Sequence, residues 1–163
     1  MQKIIVSDTS CIGYLIQINC LNLLKLIYGQ IIIPEAVNKE ILRLEIKGHN
    51  LSEFKSSAWI KIYKSDNLSN VSQYQHLLDK GELEAISLAV DLKADLIIID
   101  EKLARIVATS MGFEITGLVG ILITAKNMGL ISSVKDSLNK VMSAGCRISN
   151  KLYNTALKSC DEL

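Results

Sequence analysis

Short apolar runs recur along the chain, and several stop at a carboxylate or a turn former. Ile4-Ile5-Val6 ends at Ser7-Asp8, Ile31-Ile32-Ile33 at Pro34, and Leu96-Ile97-Ile98-Ile99 at Asp100-Glu101. Each is too short for a helix and rich in β-branched residues, which suits strands buried on both faces. Trp59-Ile60-Lys61-Ile62-Tyr63 alternates apolar and polar positions and reads as a half-exposed edge strand. Phe113-Glu114-Ile115 is a short fifth candidate, turned by Thr116-Gly117.

Between these runs the apolar spacing changes to three and four. Residues 12–18 and 21–27 read as two short helices or one broken helix, stopped by Gly29. Pro34 opens a helix whose buried positions are Val37, Ile41 and Leu44, with Glu40 bordering that face and Glu35 and Glu45 solvated. Residues 51–57 suggest a short helix and 67–78 a weakly amphipathic one. Asp79 or Lys80-Gly81 caps a helix along which Glu84, Leu88 and Asp91 share a side while Glu82 is rotated away. Helices are further expected over 103–111, 118–128, 132–143 and 149–160. This alternation predicts a three-layer α/β/α domain over residues 1–163, with a mostly parallel sheet of about four to five strands.

Composition narrows the class. One proline in 163 residues and a 49% hydrophobic content exclude a disordered chain. A formal charge of +1 gives no global basic field, so any nucleic-acid contact must be local. Cys11, Cys20, Cys146 and Cys160 have neither C-x-x-C nor zinc spacing and read as reduced thiols of a cytoplasmic protein. Neither a signal peptide nor a membrane span is expected. His49 and His76 share no motif and are expected at the surface, without a catalytic part.

The chemistry lies in the acids. Asp8 and Asp100 fall at the carboxyl ends of two strands, the edge where open α/β sheets bind ligands. Thr9 and Ser10 are placed to cap a helix starting near Cys11, and Asp8 alone is as readily a helix cap. Glu40 and Glu84 face inward from helices, and Glu101 reads as a first-turn helix charge. Acids meeting at one edge must hold protons or enclose a multivalent cation. An all-oxygen donor set points to Mg²⁺ or Mn²⁺, which suits phosphodiester hydrolysis.

These pieces resemble PIN-domain endoribonucleases of the VapC toxin type, and within them a short PIN-like subgroup. The matching stretches are Val6-Ser7-Asp8-Thr9-Ser10, Ile33-Pro34 through Val37 to Glu40-Ile41, Gly81-Glu82-Leu83-Glu84-Ala85-Ile86-Ser87-Leu88-Ala89, Ile98-Ile99-Asp100-Glu101, and Gly145-Cys146-Arg147-Ile148-Ser149. The resemblance implies metal-binding catalytic acids at Asp8, Glu40, Glu84 and Asp100, and a supporting hydroxyl at Thr9 or Ser10. It also implies an RNA substrate, a small antitoxin partner and a homodimer. Two positions depart from the commoner toxins. The third acid, usually Asp, is Glu84, with Glu82 able to take its place, and Ile98 stands where Thr or Ser is usual.

From 126 to 158 the charges are Lys126, Lys135, Lys140, Arg147, Lys151 and Lys158 against Asp136. They suit either an RNA guide or a solvated helix surface. Arg147, in a matching stretch, is the better phosphate contact. A second reading is a PIN-like protein that binds RNA or a partner without cutting. A phosphoacceptor domain is disfavoured, because Asp8-Thr9-Ser10 lacks paired acids.

Overall fold

The structure is a computed structural model describing residues 2–65 and 67–163. Among the described residues five strands form one sheet: β1 (Ile5–Ser7), β2 (Ile31–Pro34), β3 (Ile60–Tyr63), β4 (Leu96–Ile98) and β5 (Ile115–Thr116). Every pairing is parallel, and the order across the sheet is β3-β2-β1-β4-β5. The chain steps outward from β1 to β3, then returns to the other flank of β1 for β4 and β5. The reversal makes the β1/β4 boundary a topological switch point, where such sheets bind ligands beyond the strand carboxyl ends.

The helices are α1 (Thr9–Gln17), α2 (Asn22–Tyr28), α3 (Glu35–Ile46), α4 (Ser52–Ser56), α5 (Lys80–Leu92), α6 (Lys102–Ser110), α7 (Leu118–Asn127), α8 (Val134–Ser143) and α9 (Asn150–Ser159). Ile5, Ile31, Ile33 and Ile98 point into a core shared with α1–α4 and α7–α9. Their neighbours Val6, Ile32, Ile97 and Ile99 point the other way, into a core under α5 and α6. Both faces are covered, which is why the strand runs are apolar at every position. Connections stepping toward β3 cross one face and those stepping toward β5 the other, as right-handed crossovers require.

The expected elements stand with adjustments. Asn19, at φ 59°, separates α1 from α2, so the region is two helices. Gly29, at φ 78°, ends the second. β3 is an edge strand as expected, but Ile62 and Tyr63 are both about half exposed, so the alternation does not carry through to its end. The helix expected over 67–78 is instead a 3-10 segment, Ser69–Tyr74. Its short polar side chains bond the local backbone: Ser69 N–H donates to Asn67 Oδ1 at 2.9 Å and the Ser72 hydroxyl to Ser69 O at 3.2 Å. Such bonds compete with an α-helical ladder. No helix among the described residues is long and apolar enough to cross a membrane.

Candidate active site

Asp8 sits where β1 stops. Its N–H donates to Ile98 O at 2.9 Å, tying the backbone to β4 at the switch point. The residue is the N-cap of α1, which starts at Thr9, two residues earlier than expected, and Asp8 Oδ1 accepts the Thr9 N–H at 2.6 Å. The side chain is only 5% exposed. Burial pushes its carboxyl up to about 7, helped by the nearby acids Glu82, Asp79 and Glu40 and opposed by the Thr9 N–H. Capping and crowding are both true of it.

Glu40 is delivered by α3, which Val37 and Ile41 pin to the core. The Thr9 hydroxyl donates to Glu40 Oε2 at 2.5 Å, joining the α1 N-terminus to the middle of α3. On its other side Glu40 lies against α5 at Gly81. A Cβ there would stand 2.7 Å from Glu40 Oε1, so glycine is what permits this approach.

The two glutamates of α5 part company. Glu82 closes a capping box with Asp79: its Oε2 accepts the Asp79 N–H at 2.9 Å, and its own N–H donates to Asp79 Oδ1 at 2.8 Å. This curls the side chain back over the helix start, and it is buried beside Asp8 instead of rotated away as the wheel predicted. Burial raises its pKa, and Asp79, Glu101 and Glu40 add to the rise against the Asp79 N–H. Glu84 is equally buried, but its Oε1 accepts the Ala36 N–H at 3.3 Å, at the start of α3. It is absent from the charges acting on Asp8.

Asp100 leaves β4 at the same sheet edge. Its Oδ1 accepts the Leu118 N–H at 3.0 Å, at the N-terminus of α7, and a Cβ on Gly117 would collide with that oxygen. Burial raises the Asp100 pKa against the lowering effects of the Leu118 N–H and Arg105. Arg105 is held there by donating from Nη1 to Ile99 O at 2.8 Å. The fully buried Cys11 thiol is pushed up by burial first, then by Asp100 and Asp8, so it senses both carboxylates. Glu101 is the N-cap of α6, accepting the Leu103 and Ala104 N–H groups.

Of the four expected ligands, then, Asp8 and Glu40 converge, Asp100 stands on the neighbouring strand turned toward α7, and Glu84 braces α3. Glu82, buried at the start of α5, is among the acids acting on Asp8. Ser10 lines a concavity next to Thr9, and Ile98 is fully buried, leaving only its carbonyl to contribute. Arg147 is exposed, and Lys126 is engaged with Ser132 O at 2.6 Å and Glu162 at 3.5 Å. His76 is exposed as expected, whereas His49 is half-buried. Arg105 escaped the sequence reading, and Gly117 was read only as part of a turn. Their signal is position: Arg105 lies one turn after the α6 cap, and Gly117 immediately precedes α7.

Among the described residues no three Asp, Glu, His or Cys side chains are grouped to hold a metal ion as they stand. The donor chemistry nonetheless fits a hard divalent cation. Asp8, Glu40 and Glu82 offer only carboxylate oxygens, and the charges crowding Asp8 are all acidic. No curated protein matches the chain. A family model described as PIN domain matches residues 4–162. The parallel sheet, its helical layers and the acids at the switch point agree with that match, and PIN domains are generally nucleases. The chain belongs to the PIN-domain family.

Proposed function

We propose that this protein is a divalent-metal-dependent endoribonuclease that hydrolyses RNA phosphodiester bonds. The observation that carries the reading is the crowding of acids on buried Asp8 at the β1/β4 switch point, by buried Glu82, by Asp79 and by half-buried Glu40, with no basic group among the charges acting on it. Mutual repulsion of this kind favours a site for Mg²⁺ or Mn²⁺. Asp8, Glu40 and Glu82 would hold the ion, with Asp100 completing the set from β4. Bound there, such an ion would supply Lewis acidity for phosphodiester hydrolysis.

The chain's own groups prepare that event. The Thr9 hydroxyl fixes one oxygen of Glu40, and the capping box fixes Glu82. Glu84 acts by holding the α3 N-terminus and so the path of Glu40. The purified protein should cleave single-stranded RNA with Mn²⁺ or Mg²⁺ and not in excess EDTA, and Asp8→Asn should lose at least a hundredfold in rate. Equal cleavage by Asp8→Asn, or undiminished cleavage in EDTA, would refute the assignment.

A role as the toxin of a toxin–antitoxin pair, with a small antitoxin and a homodimeric state, rests on the resemblance to VapC-type proteins. Growth arrest on expression, relieved by Asp8→Asn, tests it. A cytoplasmic location fits the free thiols Cys11, Cys20, Cys146 and Cys160. The non-cutting alternative draws on the engagement of Glu84 and Asp100 with helix N-termini. It predicts a divalent-ion rise in melting temperature without RNA cleavage.

A further inference from the structure

Two concavities, of about 330 and 430 Å³, share Gln17 and Ala144 and so form one trough along α1. Its near end is Thr9 and Ser10, and the Thr9 hydroxyl is the group bonded to Glu40. From there it passes Tyr14, Lys47 and His49 and runs out past Asn19 to Lys140. Among the described residues no acid lines it. The walls come from three separate helices. Gly48, at φ 93°, ends α3, and the His49 N–H returns to Leu44 O at 3.1 Å, which keeps Lys47 and His49 at the rim.

We infer that this trough is the path of a single RNA strand into the acid site, with phosphates against Lys47 and Lys140 and a base against Tyr14. The inference rests on the ribonuclease reading for the nature of its ligand. The acids at the switch point repel a polyanion, so approach requires a cationic surface leading to them. Each lysine alone is explained by its place at a helix C-terminus, where cations are favourable. The dipoles do not explain why both termini border an acid-free trough opening on Thr9. Tyr14 offers a sequence-tolerant stacking face, and Gln17 and Asn19 offer amides to base edges, the pattern of single-strand recognition.

The test is fluorescence anisotropy in EDTA at low salt, using a fluorescein-labelled, mixed-sequence single-stranded RNA of about ten nucleotides, within the usual ~4–16 nucleotide footprint. The double variant Lys47→Glu/Lys140→Glu should bind on the order of thirtyfold more weakly, and the slope of log affinity against log salt should flatten by about 1.4, roughly 0.7 per phosphate contact. Tyr14→Leu should weaken binding about tenfold at an unchanged slope. Lys61→Glu, on the far edge strand β3, should stay within about twofold of the unaltered protein. The trough is overturned if the unaltered protein does not bind in EDTA, or if the double variant binds as tightly as it does. Metal-dependent cleavage with trough variants unaffected would sink this inference alone. Trough-dependent binding with no cleavage under either ion would sink the nuclease reading and leave the trough standing.

Discussion

Asp8 shows how a carboxyl can be costly to the fold at the very place where the proposed reaction would use it. Its carboxyl stands at about 7 against the usual 3.8, chiefly through burial. Below 3.8 the group is protonated folded or unfolded, and no penalty arises. As pH rises from 3.8 to about 7 the unfolded chain ionises first, and the folded state loses up to roughly 4 kcal/mol. In EDTA at pH 8, Asp8→Asn should therefore melt several degrees higher than the unaltered protein, with the gain largely gone at pH 4. Mn²⁺ should raise the melting temperature of the unaltered protein and leave Asp8→Asn unmoved. Calorimetry across these conditions checks both. Asp8 was legible from the sequence because a carboxylate ending a buried run has few places to be. The burial of Glu82 beside Asp8 was not, because helical periodicity describes flanks and Glu82 curls back over the helix end. Its signal was present as Asp79-x-x-Glu82, a capping-box spacing. Paired kinetics and melting should separate the two glutamates. Glu82→Gln keeps an acceptor for the cap but should lose cleavage, whereas Glu84→Ala should cost about 1–3 kcal/mol by orphaning the Ala36 N–H and reduce cleavage less.

At the scale of elements, the site depends on how closely three helix starts approach. α1 begins at Asp8's carboxylate, α5 passes Glu40 at Gly81, and α7 meets Asp100 at Leu118. Gly81 lies within α5, where alanine is intrinsically the better helix former by about 1 kcal/mol. Gly81→Ala should thus leave the melting temperature level or slightly raised. The added methyl, 2.7 Å from Glu40 Oε1, must displace that carboxylate from Thr9. Cleavage should fall by an order of magnitude or more while the fold is untouched. An active Gly81→Ala protein would mean that Glu40's placement is irrelevant to the chemistry. The buried strands were readable because a strand covered on both faces must be apolar throughout. Residues 67–78 were not, since the Asn67 and Ser72 side chains sit at helix-compatible spacing yet bond the local backbone. Periodicity does not register that competition.

Across the whole molecule, α3 and α5 join the two layers beside the acid site, and the α8 and α9 end of the layer that carries the trough must be tied down separately. Glu162, beyond α9, does this for α8. Its carboxylate accepts the Ser133 hydroxyl at 2.7 Å, the Val134 N–H at 2.8 Å and the Lys135 N–H at 3.2 Å, with Lys126 Nζ at 3.5 Å. It thereby satisfies orphan donors at the start of α8 and joins the last two helices to the end of α7. Desolvation pushes its pKa up, but these hydrogen bonds and Lys126 outweigh it and hold the group at about 2 against the usual 4.5. A depressed carboxyl contributes stability that is complete above 4.5 and drains away as pH falls toward 2. Glu162→Gln should accordingly melt below the unaltered protein at pH 7, by an amount that shrinks from pH 4.5 downward and vanishes near pH 2. Because α8 carries Lys140, the same change should weaken RNA binding at the trough more than it slows cleavage at saturating RNA. A pH-independent melting difference would mean that Glu162 acts through packing and not through its charge.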